Sequence, residues 1–208
     1  MIAEIGHFAL ILALAVAAYQ TLGPLMGAAL GNRQMIASAV PATLIQLVLV
    51  YVAFAALTHA YLISDFSVQN VFENSHSAKP LLYKISGVWG NHEGSMLLWV
   101  FILASFGGAV AIFGENLPPT LRARVLAVQG SIGFAFLLFI VVASNPFARL
   151  NPVPIEGNGL NPVLQDPALA FHPPFLYAGY VGLSVAFSFA IAALIDGKVD
   201  ASWARWVR

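Results

Sequence analysis

Five stretches of this chain stay apolar for the length of a membrane helix, and its polar residues gather between them. Residues 7–30, 40–63, 96–113, 125–143 and 175–195 each approach the about 20 apolar positions that a hydrocarbon core about 30 Å thick requires. None carries Lys, Arg, Asp or Glu at mid-depth, and Gln20, Gln46 and Gln129 are the notable polar interruptions. A segment in lipid must satisfy its backbone hydrogen bonds internally, so the pattern predicts helices. The expected fold is an all-α integral membrane protein of about five transmembrane helices, forming a single transmembrane domain over residues 1–208.

The connections differ in kind. The linkers near Arg33 and Pro118-Pro119 are short, whereas residues 64–95 and 144–174 are long. In the first long loop, apolar residues at 68, 71 and 72 and, after Pro80, at 81, 82 and 85 predict short amphipathic helices lying at the membrane interface. The second loop holds Pro146, Pro152, Pro154, Pro162, Pro167, Pro173 and Pro174, whose fixed φ angles favour an extended, ordered path. On this reading the loop runs up to Pro174, and Pro173-Pro174 form the first turn of the fifth span. Gly179, Gly182, Ala186, Ala190 and Ala193 make a small-residue stripe on that span, suited to close helix packing.

Charge sets an orientation. Six of the nine basic residues (Arg33, Arg122, Arg124, Lys198, Arg205, Arg208) lie on one side of the five-span arrangement and three (Lys79, Lys84, Arg149) on the other. The side richer in Lys and Arg is the cytoplasmic one by the positive-inside rule, giving an N-out, C-in topology with the long loops in the periplasm. Glu4 precedes the first run, with no basic segment and no small-residue cleavage site, so that run reads as a helix retained in the mature protein.

Composition agrees: 60% of residues are hydrophobic, 9% are charged, and mean hydropathy is +0.83, which excludes a water-soluble globular domain. Cysteine is absent, so disulfides and thiolate metal ligands are excluded. The net charge of zero gives no sign of nucleic-acid binding. Clean spans argue against a proton-relay subunit, which needs ionisable groups at depth.

Candidate chemistry sits at the span boundaries. Trp89-Gly90-Asn91-His92-Glu93-Gly94 opens the third run, and Phe171-His172-Pro173-Pro174-Phe175-Leu176-Tyr177 opens the fifth. All five histidines (His7, His59, His76, His92, His172) fall at or beyond the outer span ends, and for His7, His59 and His76 interfacial packing is the simpler reading. A neutral imidazole at His172, held beside prolines and walled by Phe171, Phe175 and Tyr177, suits an axial ligand of haem iron or a cap at a helix start. Asn91 and Glu93 suit the cap and first turn of a helix. His92-Glu93 lacks the second histidine of the zinc-binding helix motif.

The string from Val88 to Val100, Ser144-Asn145-Pro146-Phe147, Gly159-Leu160-Asn161-Pro162-Val163-Leu164-Gln165-Asp166-Pro167 and the run from His172 to Gly182, in this order, resemble the cytochrome c maturation haem lyase subunits of the CcmF and NrfE type. The resemblance runs through essentially the whole chain and corresponds to the N-terminal portion of those subunits. It implies a multi-pass protein of the bacterial inner membrane that accepts haem b, as substrate, from a periplasmic haem chaperone and promotes its thioether attachment to an apocytochrome c kept reduced by a thiol-reducing partner. It further implies that His172 is one axial haem ligand, flanked by Phe171, Pro173, Pro174 and Tyr177. Trp89, Gly90, Asn91, His92, Glu93 and Gly94 would face haem or a partner protein. The family's tryptophan-rich motif and opposing ligands are not matched, and Trp203 and Trp206 do not reproduce that motif, so a further lyase polypeptide is implied for a complete enzyme. The alternatives are a non-catalytic membrane scaffold, whose outer strings only touch partners, and a transporter fragment, which would place polar groups at mid-membrane.

Overall fold

The first helix, α1 (Ile2–Leu30), ends where Gly31 turns left-handed at φ 67° and its N–H returns to the Gly27 carbonyl. Asn32 then caps α2 (Arg33–Ala37), accepting from the Gln34 and Met35 amides, and Ser38 passes the chain almost without a break into α3 (Ala39–Leu62). Two short helices follow, α4 (Gln69–Asn74) and α5 (Leu81–Gly87), then α6 (His92–Phe113), α7 (Pro119–Ala143), α8 (Pro167–Asp196) and α9 (Ala201–Val207). The structure, a computed structural model, describes residues 1–199 and 201–207. Among the described residues five helical segments are long and apolar enough to cross a membrane, Ile2–Leu30, Arg33–Leu62, His92–Asn116, Pro119–Ala143 and Pro167–Asp196.

α1 lies between α3 and α7, α6 closes against α3 and α7, and α8 packs at the edge on α6 and α7. The close approach of α1 follows from its buried face, which includes Ala3, Gly6, Ala9, Ala13, Ala17, Gly23 and Gly27. A Cβ on Gly6 would come within 2.4 Å of the Phe147 ring, and one on Gly27 within 2.5 Å of Met35 Cβ. The stripe expected to pack on α8 is used only in part: Gly182 meets Phe106, Ala193 is buried, but Gly179 faces open space. α8 instead buries Val181, Ser188, Phe189 and Ala192. Two of the glutamines inside the spans tie helices together. The Gln20 amide donates to the Leu126 carbonyl at 2.8 Å, and the Gln129 amide donates to Ser184 and Ser188 at 3.1 and 3.0 Å.

The helices outrun the apolar stretches at their polar ends. α6 starts at His92, not Met96, and α8 at Pro167, not Phe175. The Pro-rich loop therefore does not extend to Pro174. Asp166 caps α8 by accepting from the Ala168 and Leu169 amides at 2.8 and 3.1 Å, and Pro167 supplies a helix-ready φ at the first position. Pro173 and Pro174 lie inside the helix and His172 in its second turn.

The two long loops form one layer over the end of the bundle. Val68 and Arg149 make an isolated antiparallel bridge, with the Gln69 amide donating to Ala148 and the Leu150 amide to Ser67. Further along, the Asn158 and Gly159 amides donate to the carbonyls of Phe72 and Ser75. Of the expected amphipathic pieces, α4 packs inward, with Val68 and Val71 fully buried, while α5 leaves Leu81 and Leu82 exposed. Arg149 pairs with Glu4 and with Asp65, fastening the loops to the start of α1. Lys79, Lys84 and Arg149 belong to this end, and Arg33, Arg122, Arg124, Lys198 and Arg205 to the other; Arg208 lies outside the described residues.

Candidate functional site

All five histidines lie at the looped end of the bundle, where α1, α6 and α8 begin and α3 finishes. Two are hydrogen-bonded within the protein: His7 Nδ1 meets the Asn145 carboxamide at 3.1 Å, and His76 Nδ1 accepts from the Ala78 amide at 3.2 Å, with Glu156 at 3.9 Å. His59 is half-buried, its Nδ1 enclosed without a hydrogen-bond partner among the described residues. The Glu156 carboxylate accepts from the Ser77 hydroxyl, the Gly157 amide and the Ser77 amide, and these donors hold its pKa down to about 2. Burial, with the nearby charge of Lys84 in second place, lowers the Lys79 ammonium to about 8, and its Nζ donates to the Asn74 carbonyl at 2.8 Å.

The string that opens α6 is built around Asn91. Its Oδ1 caps the helix by accepting from the Gly94 amide at 2.8 Å and also accepts from Asn70 Nδ2 at 2.7 Å. Its Nδ2 donates to the Gly87 carbonyl at 2.8 Å and to the Tyr61 hydroxyl at 3.0 Å. The Tyr61 hydroxyl in turn donates to Asn70 Oδ1 at 2.7 Å, and Asn70 Nδ2 reaches Glu93 Oε2 at 3.3 Å. The Asn91 and Asn70 carboxamides and the Tyr61 hydroxyl are all bonded to one another, which suits a buried network in surroundings of low dielectric. Gly94 is required by contact, since a Cβ there would sit 1.6 Å from the Val88 carbonyl oxygen. A Cβ on Gly90 would lie 3.1 Å from Leu160.

His92 stands outside that network. It is exposed at the first position of α6, and its ring meets Phe139 edge-on at 6.1 Å. An apolar hollow of 390 Å³ lies beside it, lined by Met96, Ala135, Phe136 and Phe139. A second cavity, of 260 Å³, joins the two strings: Trp89, Gly90, Asn91 and His92 on one wall, Leu169, Ala170 and Pro173 on the other, with Leu160 and Leu164 of the Pro-rich loop between. Trp89 Nε1 donates to the Ala170 carbonyl across it at 3.0 Å.

His172 and Phe171 are not among the residues that line that cavity, and both are exposed. The His172 ring has no hydrogen-bond, ion-pair or ring partner among the described residues. Around it the same helix end displays Leu169, Phe171, Phe175 and Leu176, which are 40, 54, 76 and 47% exposed. Tyr177 turns elsewhere, meeting Tyr180 edge-to-face at 5.3 Å. A free imidazole nitrogen among exposed apolar side chains fits the edge of a porphyrin, with nitrogen for the iron and hydrocarbon for the macrocycle.

Sequence reasoning singled out Asn91 and Glu93 but missed their partners Tyr61 and Asn70. Tyr61 closes the second apolar run and Asn70 lies in a loop. No local pattern links either to position 91; they meet only because α3, α4 and α6 converge.

The family model described as Cytochrome C assembly protein matches residues 89–208, a stretch that starts at Trp89 and takes in both strings. The chain is 66% identical over 208 residues to the cytochrome c-type biogenesis protein ccl1 of Rhodobacter capsulatus, covering all of this chain and 32% of that protein. It is 47% identical over 209 residues to the cytochrome c-type biogenesis protein CcmF of Escherichia coli, again covering 100% and 32%. A solved structure titled Cytochrome c Heme Lyase CcmF superposes with a TM-score of 0.86 at 26% identity, over 100% of this chain and 33% of that one. The chain thus spans about a third of the length of the relatives it matches. Among its described residues the chain has five helical segments long and apolar enough to cross a membrane, and it belongs to the cytochrome c assembly protein family.

Proposed function

We propose that this chain forms the haem-receiving part of a cytochrome c haem lyase, with its histidine-bearing end on the periplasmic side of a bacterial inner membrane. His172 is one axial ligand of the incoming haem b iron, and Phe171, Phe175 and the Pro173-Pro174 backbone form the apolar edge on which the macrocycle rests. The opposite ligand and the tryptophan-rich surface come from a further lyase polypeptide. A periplasmic haem chaperone delivers haem, and the apocytochrome c enters with its cysteine pair reduced by a thiol-reducing partner. The observation that carries this reading is the exposed, unpartnered His172 ring in an exposed apolar patch at the end of the bundle where all five histidines gather.

The chemistry asks little of acid–base groups. A cysteine S–H adds across each haem vinyl group, forming a carbon–sulfur bond at the inner vinyl carbon while hydrogen goes to the terminal one, with no net oxidation or reduction of either reactant. Such a reaction depends chiefly on placing thiol and vinyl together, and the macrocycle carries the reactivity. The role of this chain is to hold the iron through His172 and to fix the plane of the ring. The Asn91 network lies below this surface and holds the opening of α6 against which α8 is tied.

The test is co-purification of the membrane-embedded chain with the haem chaperone, read by its visible absorption. The wild type retains a haem spectrum and His172→Ala loses it while inserting normally. A His172→Ala protein that keeps haem at wild-type yield overturns the assignment, and an absence of haem in the wild type points to a scaffold.

A further inference from the structure

We infer that Trp89 is a positioning residue for His172, acting through the one backbone carbonyl that Pro174 leaves without its helical donor. The inference rests on the haem-ligand reading above and adds the device that aims the ligand.

In a regular helix the carbonyl of residue 170 accepts from the amide of residue 174. Here residue 174 is proline and has no N–H, and residue 173 is proline as well, so the stretch carrying His172 loses two consecutive rungs of its ladder. An interior Pro pair ordinarily breaks or kinks a helix, yet α8 continues unbroken from Pro167 to Asp196. Ala170 is 97% buried by its 3% exposure, so water is a poor substitute donor for its carbonyl. Trp89 Nε1, 3.0 Å away, fills the vacancy from the turn between α5 and α6, 81 residues earlier in the chain.

The consequence reaches His172 because nothing else orients it. Its ring contacts no protein donor, acceptor or aromatic ring among the described residues, so its direction is set by the backbone between Ala170 and the Pro pair. Trp89 holds that backbone and is itself well placed: its ring stacks near Phe54 at 6.5 Å, and it lies two residues before Asn91, whose side chain is bonded in four directions. The indole thus carries the rigid opening of α6 over to the exposed opening of α8. Metal-binding histidines are commonly oriented by a group bonded to the ring itself; here the bond is to the backbone two residues away.

The experiment is a hemin titration of the whole membrane-embedded chain in nanodiscs, following the Soret band, with resonance Raman of the reduced complex to read the iron–histidine stretch. Trp89→Phe keeps an aromatic ring and removes the donor. It should weaken hemin binding about tenfold, the lower end of the loss seen when a metal ligand's outer-shell partner is removed, and should broaden the iron–histidine band. Pro174→Ala returns an amide to the position that helix geometry intended, so Trp89→Phe combined with Pro174→Ala should bind like Pro174→Ala alone. Failure of Pro174→Ala to rescue Trp89→Phe overturns the inference, because a packing role for the indole is indifferent to that amide. Wild-type binding by Trp89→Phe overturns it as well. Should Trp89→Phe not fold, the comparison of Pro174→Ala with and without Trp89→Phe still decides, since equal affinity is required. Loss of binding in His172→Ala alongside an unaffected Trp89→Phe leaves the ligand assignment standing and removes only Trp89, whereas wild-type binding by His172→Ala removes the ligand itself.

Discussion

The openings of α6 and α8 carry the two histidines nearest the inter-string cavity, and they are held in opposite ways. At α6 the residues around His92 are locked: Asn91 bonds Gly94, Asn70, Gly87 and Tyr61, Asn70 adds Glu93, and Gly94 is pressed against the Val88 carbonyl. At α8 the residues around His172 are bare, with exposed apolar side chains, a cap at Asp166 and a single cross-tie from Trp89. The difference separates two duties. A polar network whose carboxamides and hydroxyl are already bonded to one another fixes position in a low-dielectric setting. An unpartnered ring in an exposed apolar patch has its lone pair free, at the cost of borrowing its rigidity from elsewhere.

Substitutions sharpen this contrast, and the largest effect is expected at Gly94. Alanine there drives a Cβ into the Val88 carbonyl oxygen and should cost about 3 kcal/mol or more, read as a large drop in the thermal unfolding midpoint in detergent. Asn91→Ala removes a helix cap and strands Tyr61 and Asn70 without their partner; a loss of about 3 kcal/mol is expected, and a loss below about 1 would show that the network does not fix α6. Asp166→Ala at the other opening deletes only a cap and should cost about 1 kcal/mol. A still smaller effect is expected in acid. The Glu156 carboxylate, held at about 2 in the fold against 4.5 ordinarily, stabilises the loop layer above pH 4.5, and that contribution fades as pH falls from 4.5 towards 2. Glu156→Gln should flatten the stability profile in that window alone, and an unchanged slope would remove the Ser77 contacts from the account.

Much of the frame could be read from the chain. Five apolar runs became five long helices, and Asn91 was recognised as a cap because an amide ahead of an apolar run has that use. The Pro-rich segment misled for a physical reason. Proline density argues against helix when each missing donor is left unreplaced, but the Trp89 donor to Ala170 comes from residues far away in sequence. A local signal was present all the same: Asp166-Pro167 has the form of an N-cap followed by the favoured first helical residue. Tyr61 and Asn70 gave no such signal, since their value lies in an encounter of three elements. The small-residue stripe of α8 packs only in part, whereas the closer packing belongs to α1, with its own run of Ala and Gly.

His172→Ala should change stability by less than about 0.5 kcal/mol, as befits an exposed side chain, and this makes position 172 the place to test the central claim. The most direct measurement is the iron–histidine stretch of the reduced hemin complex of the nanodisc-embedded chain, compared between wild type and His172→Gly with and without added imidazole. The band should be present in the wild type, absent in His172→Gly and restored when imidazole enters the vacated position. A band of unchanged intensity and frequency in His172→Gly without imidazole would place the iron on another histidine and contradict the account.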